Sequence, residues 1–226
     1  MNYKNNQKYF DQKNYLLFIG IGVAVAGVIL LIVGWWWMIG AVVTIIGVGM
    51  AAASRESLVK GEELDKEVAR VEQTFADTVI EKHSLDKATA DVAVFSDYVF
   101  DGESSATMKK GTDGKFRPKK AAASCLFVSG KLLFVENLTV SLVEDNGETK
   151  SEVYKLNDIE HITVSDHALE ENGGVLVRYH TADIVTAEGE KFSLPTPQNS
   201  SIYDRFEQIN KEIKSAKKAA KEAENQ

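Results

Sequence analysis

The sequence predicts an α+β protein: an apolar helical hairpin, a helical connector, and a β-rich domain closed by a C-terminal helix. Three observations carry this. Tyr15–Ser54 contains no Asp, Glu, Lys, Arg or His. From Asp91 onward, short alternating apolar runs are separated by turn dipeptides. After Pro195 and Pro197 a helical period returns, with Ile202, Phe206, Ile209, Ile213 and Ala216 on one face.

Taken as one helix, the uncharged run would reach roughly 58 Å, nearly twice a bilayer's hydrocarbon core. It is therefore expected to fold back at Val33-Gly34-Trp35-Trp36, giving transmembrane spans at residues 15–33 and 36–53. Lys4, Lys8 and Lys13 precede the first span, and Arg55, Lys60 and Lys66 follow the second. The excess of positive charge predicts a two-span protein of the cell membrane with both termini in the cytoplasm. Gly20, Ala24 and Gly27 share one helix face, and Gly40, Thr44 and Gly47 repeat that spacing, so these six are expected to pack the helices together.

The 226 residues carry a formal net charge of -7, which argues against a nucleic-acid partner. The single cysteine, Cys125, forms no internal disulfide and alternates with apolar neighbours as a core residue does. His83, His161, His167 and His180 show no metal-site spacing, so neither metal nor cofactor is expected.

The N-terminal segment is residues 1–14, the hairpin 15–54, the connector 55–83, and the remaining domain 84–226. In the connector Gly61, Leu64, Val68, Val71, Phe75 and Thr78 form an amphipathic stripe. It suits either a helix packed on its own domain or an oligomerising stalk. Strands are expected at 92–100, 121–128, 131–143, 152–156, 159–164, 175–180, 184–186 and 191–194. Ser129-Gly130, Asn146-Gly147, Gly173-Gly174 and Glu188-Gly189 mark the turns. Ser201-Ile202-Tyr203-Asp204 reads as a capping box for the last helix, with Asp in place of the usual Glu or Gln.

Several words of this domain resemble the pleckstrin-homology-like superfamily, in its GRAM-like and bacterial PH-like branches. They are Cys125-Leu126-Phe127-Val128-Ser129-Gly130-Lys131-Leu132-Leu133-Phe134, Tyr154-Lys155-Leu156-Asn157-Asp158-Ile159, Ile162-Thr163-Val164, Val175-Leu176-Val177 and Gly189-Glu190-Lys191-Phe192. The resemblance implies a partly open β-barrel or sandwich capped by the terminal helix, acting as a binding module without a catalytic residue set.

Lys109-Lys110-Gly111-Thr112-Asp113-Gly114-Lys115-Phe116-Arg117-Pro118-Lys119-Lys120 reads as a basic loop. Its candidate anion- or lipid-binding residues are Lys109, Lys110, Lys115, Phe116, Arg117, Lys119 and Lys120. In pleckstrin-homology domains a basic loop after the first strand can receive inositol phosphates. Lys110, Lys115 and Arg117 resemble that spacing, and cations near an anionic leaflet gain about 1 kcal/mol each. No nucleophile elbow, phosphate loop or metalloprotease helix is present, so no catalytic residue is expected. The expected function is that of a membrane-anchored, non-catalytic module binding a protein partner or an anionic lipid head group. The alternative is an accessory subunit that homo-oligomerises, or joins a membrane complex, through hairpin and connector.

Overall fold

The computed structural model describes residues 1–11, 15–32, 37–56, 59–86, 91–100, 102–104 and 106–224. The chain divides into two compact units, Lys4–Lys60 and Met1–Tyr3 with Gly61–Gln226.

In the first unit, α1 (Tyr3–Asp11) precedes α2 (Tyr15–Ile32) and α3 (Trp37–Glu56). The last two run antiparallel with their backbones in contact. A Cβ on Gly47 would lie 2.3 Å from the Ala24 nitrogen, and one on Gly27 2.4 Å from the Thr44 nitrogen. Gly20 and Gly40 are equally tight, at 2.7 and 2.6 Å from the backbones of Ala51 and Leu31. Glycine is what lets the helix axes come this close. Thr44 donates its hydroxyl to the Gly40 carbonyl (2.8 Å), so its polar group is paired within the helix.

Among the described residues, no helix is long and apolar enough to cross a membrane. The 18 residues of α2 rise about 27 Å, short of a hydrocarbon core of about 30 Å. Helix α3 has 20 residues but ends in Arg55-Glu56, so its uncharged part, residues 37–54, is no longer than α2. The expected transmembrane hairpin is therefore corrected to an apolar helix pair, and the two-span cell-membrane location with cytoplasmic termini falls with it. The expected turn at Val33–Trp36 lies outside the described residues.

The second unit begins with α4 (Gly61–Lys82). A four-stranded antiparallel meander follows: β1 (Val92–Tyr98), β4 (Lys120–Ser129), β5 (Leu132–Ser141) and β6 (Gly147–Lys155). Between its first two strands stands a small hairpin of β2 (Lys109–Lys110) and β3 (Phe116–Arg117). A 3-10 turn (Leu156–Asp158) leads to a three-stranded meander, β7 (Ile159–Glu171), β8 (Gly174–Thr186) and β9 (Lys191–Thr196). Helix α5 (Ser200–Glu224) closes the unit. The two sheets are open and meet where β9 lies against β1 and β4.

Strand β4 is buried over Ala121–Phe127 because both of its faces are covered. Leu126 points into the main core with Phe95, Leu133, Ile159, Ile184, Leu194, Phe206 and Ile213. Ala123, Cys125 and Phe127 point the other way, onto Phe75 and Val79 of α4. This is why Ala121–Val128 reads as a continuous apolar run rather than an alternating one. The connector is thus part of the domain: Leu64, Val68, Phe75 and Val79 are buried, and the stripe is occupied by the chain's own sheet.

Helix α5 is capped by Asn199, whose Oδ1 accepts from the Ser201 amide (3.0 Å). The cap lies earlier than the expected capping box because the helix starts at Ser200. Midway along α5, Asn210 acts like a neighbouring strand. Its Oδ1 accepts from the Ile162 amide and its Nδ2 donates to the Ile162 carbonyl, both at 2.8 Å.

Candidate functional site

The basic segment is held by one arginine. Arg117 is 0% exposed. Its Nε and Nη2 donate to the two oxygens of Asp65 at 2.8 and 2.7 Å, and Nη1 and Nη2 donate to Asp113 at 3.0 and 2.7 Å. Tyr98 donates its hydroxyl to Asp65 (2.7 Å). A Cβ on Gly61 would lie 2.3 Å from Arg117 Nη1, so only glycine leaves room for the guanidinium under the first turn of α4. This clasp pins the β2–β3 hairpin between α4 and the sheet. Partial burial works to raise the Asp65 pKa, but hydrogen bonds from Arg117 and Tyr98 outweigh it and hold Asp65 ionised. The hydrogen bond from Arg117 lowers Asp113 to about 2.

Arg117 therefore faces inward, while the other candidate residues stay nearer the surface. Lys110, Lys115, Lys119 and Lys120 are exposed, and Lys109 and Phe116 are half-buried. The Lys110 ammonium lies 5.3 Å from the Phe116 ring centroid, within cation–π range.

Beneath this hairpin, where the end of β1 approaches β8, the sheets leave an open mouth. One recess of about 420 Å³ is lined by Asp97, Tyr98, Phe100, Lys115, Arg178 and His180, among others. Tyr98, Phe100 and Tyr179 are shared with a second recess of about 490 Å³ that also reaches Asn137, Lys150 and His167. Phe100 stacks on Tyr179 (5.4 Å) and Tyr179 on His167 (5.0 Å), forming a continuous aromatic wall.

The polar groups around the wall are fixed in chains. His180 Nδ1 meets Asp166 at 2.7 Å. Thr181 gives its only hydroxyl proton to the buried Asp183 (2.9 Å), so in its 2.8 Å contact with His167 Nε2 the ring must donate. Asp183 also accepts from Ser165 and from Lys191 (2.8 Å). Burial works to raise its pKa, but Lys191 and the hydroxyl donors lower it overall. Asp97 is held differently. Burial raises its pKa to about 6, and the Tyr98 amide, which donates to it at 2.7 Å, and His180 only partly counter this.

His83 lies elsewhere, at the end of α4. It and Lys82 each reach Glu136 at 2.7 Å, and its ring packs edge-on against Phe127 and Phe134. Cys125 is fully buried, and burial pushes its thiol pKa up to about 12, far from a reactive thiolate. A further recess of about 620 Å³ between α4 and β5 has the chain's own Met1 and Asn2 among its lining residues.

Sequence reasoning passed over Tyr98, Phe100, Tyr179 and Asp97, and weighed His167 and His180 only as metal ligands. They come from three segments that only the folded sheets bring together. The one local signal was Asn172-Gly173, with φ of 53° and 78°, the signature of a two-residue turn that clamps β7 to β8. Compared with known proteins, the chain matches no family model, no curated protein and no solved structure.

Proposed function

We propose that the β domain is a non-catalytic binding module that takes an anionic group at the mouth under the β2–β3 hairpin. The observation that carries this reading is the recess of about 420 Å³ walled by Tyr98, Phe100 and Tyr179, with Lys115 and Arg178 at its lining. Aromatic walls supply contact area, and a few placed cations supply orientation, as in preformed ligand sites. The clasp on Arg117 fixes the hairpin before any ligand arrives, which lowers the ordering cost of binding.

A purely binding role is supported by the pairing of several ionisable groups around the mouth. Arg117 is held by Asp65 and Asp113, His180 by Asp166, and His167 by Thr181. The pleckstrin-homology resemblance implies the same role. A four-stranded and a three-stranded meander followed by a helix support that kinship as part of the proposal.

The test is calorimetric titration of the full chain with inorganic phosphate and with a soluble inositol phosphate at low salt. Anionic and neutral vesicles serve as separate arms to distinguish a free anion from a head group. The double variant K115A/R178A is expected to weaken binding at least tenfold, the loss of two charge-assisted contacts. No heat with any anion, or equal affinity in the variant, would refute the reading.

A further inference from the structure

Strand β6 is the outer strand of its sheet: β5 pairs with one side, and no described strand pairs with the other. It runs for 9 residues with no register break, and all of them but Tyr154 are exposed. It also contains no proline. An unpaired strand edge this long and regular is a template for another chain. The other edges of the two sheets are less regular: β1 lies against β9, β9 carries Pro195, and β7 is bound by Asn210 at Ile162 and has two register breaks.

We propose that β6 pairs antiparallel with β6 of a second copy about a two-fold axis through Ser151, joining two four-stranded sheets into one of eight. The charge order along the strand selects this partner and this register. Side chains alternate between faces, so only registers that keep like faces together are available. With the axis at Ser151, Lys150 faces Glu152 of the other copy, twice over, while Thr149 faces Val153 and Glu148 faces Tyr154. Moving the axis to Lys150 sets Lys150 against itself and Glu148 against Glu152; moving it to Glu152 sets Glu152 against itself. Opposite charges directly across a strand pair stabilise it, and like charges destabilise it. The Ser151-centred register is thus favoured over both neighbours by the charges alone.

Disulfide trapping in the full chain tests this. The native Cys125 is buried and does not compete. Ser151→Cys places two thiols directly opposite each other and is expected to give a disulfide-linked dimer under mild oxidation. Thr149→Cys places them about 14 Å apart, four residues along the strand, and is expected not to. In the Ser151→Cys background, K150E or E152K alone makes both cross-strand pairs repulsive and should cut the yield about tenfold. The combination K150E/E152K restores opposite charges and should restore the yield. Trapping by Thr149→Cys as strong as by Ser151→Cys, a single charge reversal without effect, or failure of the double reversal to recover would each overturn the proposal.

Discussion

Asp97→Asn removes a charge where burial opposes it. Burial raises this carboxyl from the ordinary aspartate range to about 6. A carboxyl whose folded pKa is raised binds its proton more tightly in the folded state. Its stabilising contribution is therefore present below about pH 4 and is lost as the pH climbs through about 6. A tenfold change in proton affinity corresponds to about 1.4 kcal/mol, so the ionised side chain costs about 3 kcal/mol at pH 7.5 and about 1 kcal/mol at pH 4.5. Asparagine keeps an oxygen to accept the 2.7 Å bond from the Tyr98 amide and never ionises. The assay is hydrogen exchange of the β1 and β4 amides, comparing variant with wild type at each pH so that intrinsic exchange rates cancel. Protection in the variant should exceed wild type by about 30-fold more at pH 7.5 than at pH 4.5, the equivalent of about 2 kcal/mol. Asp65 and Asp113 contribute in the opposite sense: both are lowered, so their stabilisation is lost only as the pH falls below the ordinary carboxylate range. A variant-to-wild-type ratio that is the same at both pH values, or a variant less protected at pH 7.5, would refute the reasoning.

The Arg117 clasp makes a second prediction. Gly61→Ala should destabilise the β domain by about 1–3 kcal/mol in urea unfolding, because the new methyl displaces the guanidinium. Arg117→Ala should cost about 2–4 kcal/mol, less than a fully buried ion pair because both aspartates keep some solvent. In the double variant the Gly61→Ala cost should nearly vanish; simple additivity would show that the two residues do not act on each other. Asn210→Ala removes both bonds to the Ile162 backbone and should cost about 1–3 kcal/mol. The Ile162 amide should then exchange faster, and an unchanged rate would mean that Asn210 does not seal this edge.

Much of the β domain was legible because its elements announce themselves locally. The terminal helix showed its 3.6-residue stripe, and Ile202, Phe206, Ile209 and Ile213 are buried. The strand runs overlap the real ones, but β6 begins at Gly147 rather than 152, β7 continues to Glu171 rather than 164, and the expected strands at 175–180 and 184–186 form one continuous β8. Turn chemistry was less transparent. Asn146-Gly147 looks like a tight hairpin turn, but Gly147 already begins β6, and Ser141 organises the loop by accepting from the Val143 and Glu144 amides. Two-residue turns are formed instead by Gly130-Lys131, between the paired Ser129 and Leu132, and by Asn172-Gly173, between Glu171 and Gly174.

The mouth was hidden for a more specific reason. Next to the Asn172-Gly173 turn, Glu171 pairs with Gly174 and Glu170 with Val175. Continued without interruption, that register would set His167 opposite Arg178. A bulge between Leu169 and Glu170 advances β8 by one residue, so His167 lies opposite Tyr179 and Asp166 opposite His180. One extra residue thus decides which side chains share a face. Nothing in the local composition announces the bulge, and so nothing announces the aromatic wall. The Arg117 clasp was hidden by distance, since Asp65 lies 52 residues away in a helix whose stripe also suits a stalk.

The two ends of α4 explain why that helix belongs to the domain rather than to a stalk. Its first turn holds Gly61 and Asp65, which receive Arg117; its end presents Lys82 and His83, which reach the buried Glu136 on β5. Between these anchors Phe75 and Val79 cover Cys125 and Phe127 on β4. Losing either anchor would leave a buried charge uncompensated, so the helix cannot slide along the sheet without breaking both. The consequence reaches the mouth. The guanidinium that fastens α4 also fastens β3, and β3 carries Phe116 beside Lys115 over the recess. A basic run that reads as a solvated loop is therefore a positioned element. Its orientation is set by a carboxylate on a helix lying on the opposite side of the four-stranded sheet from the main core.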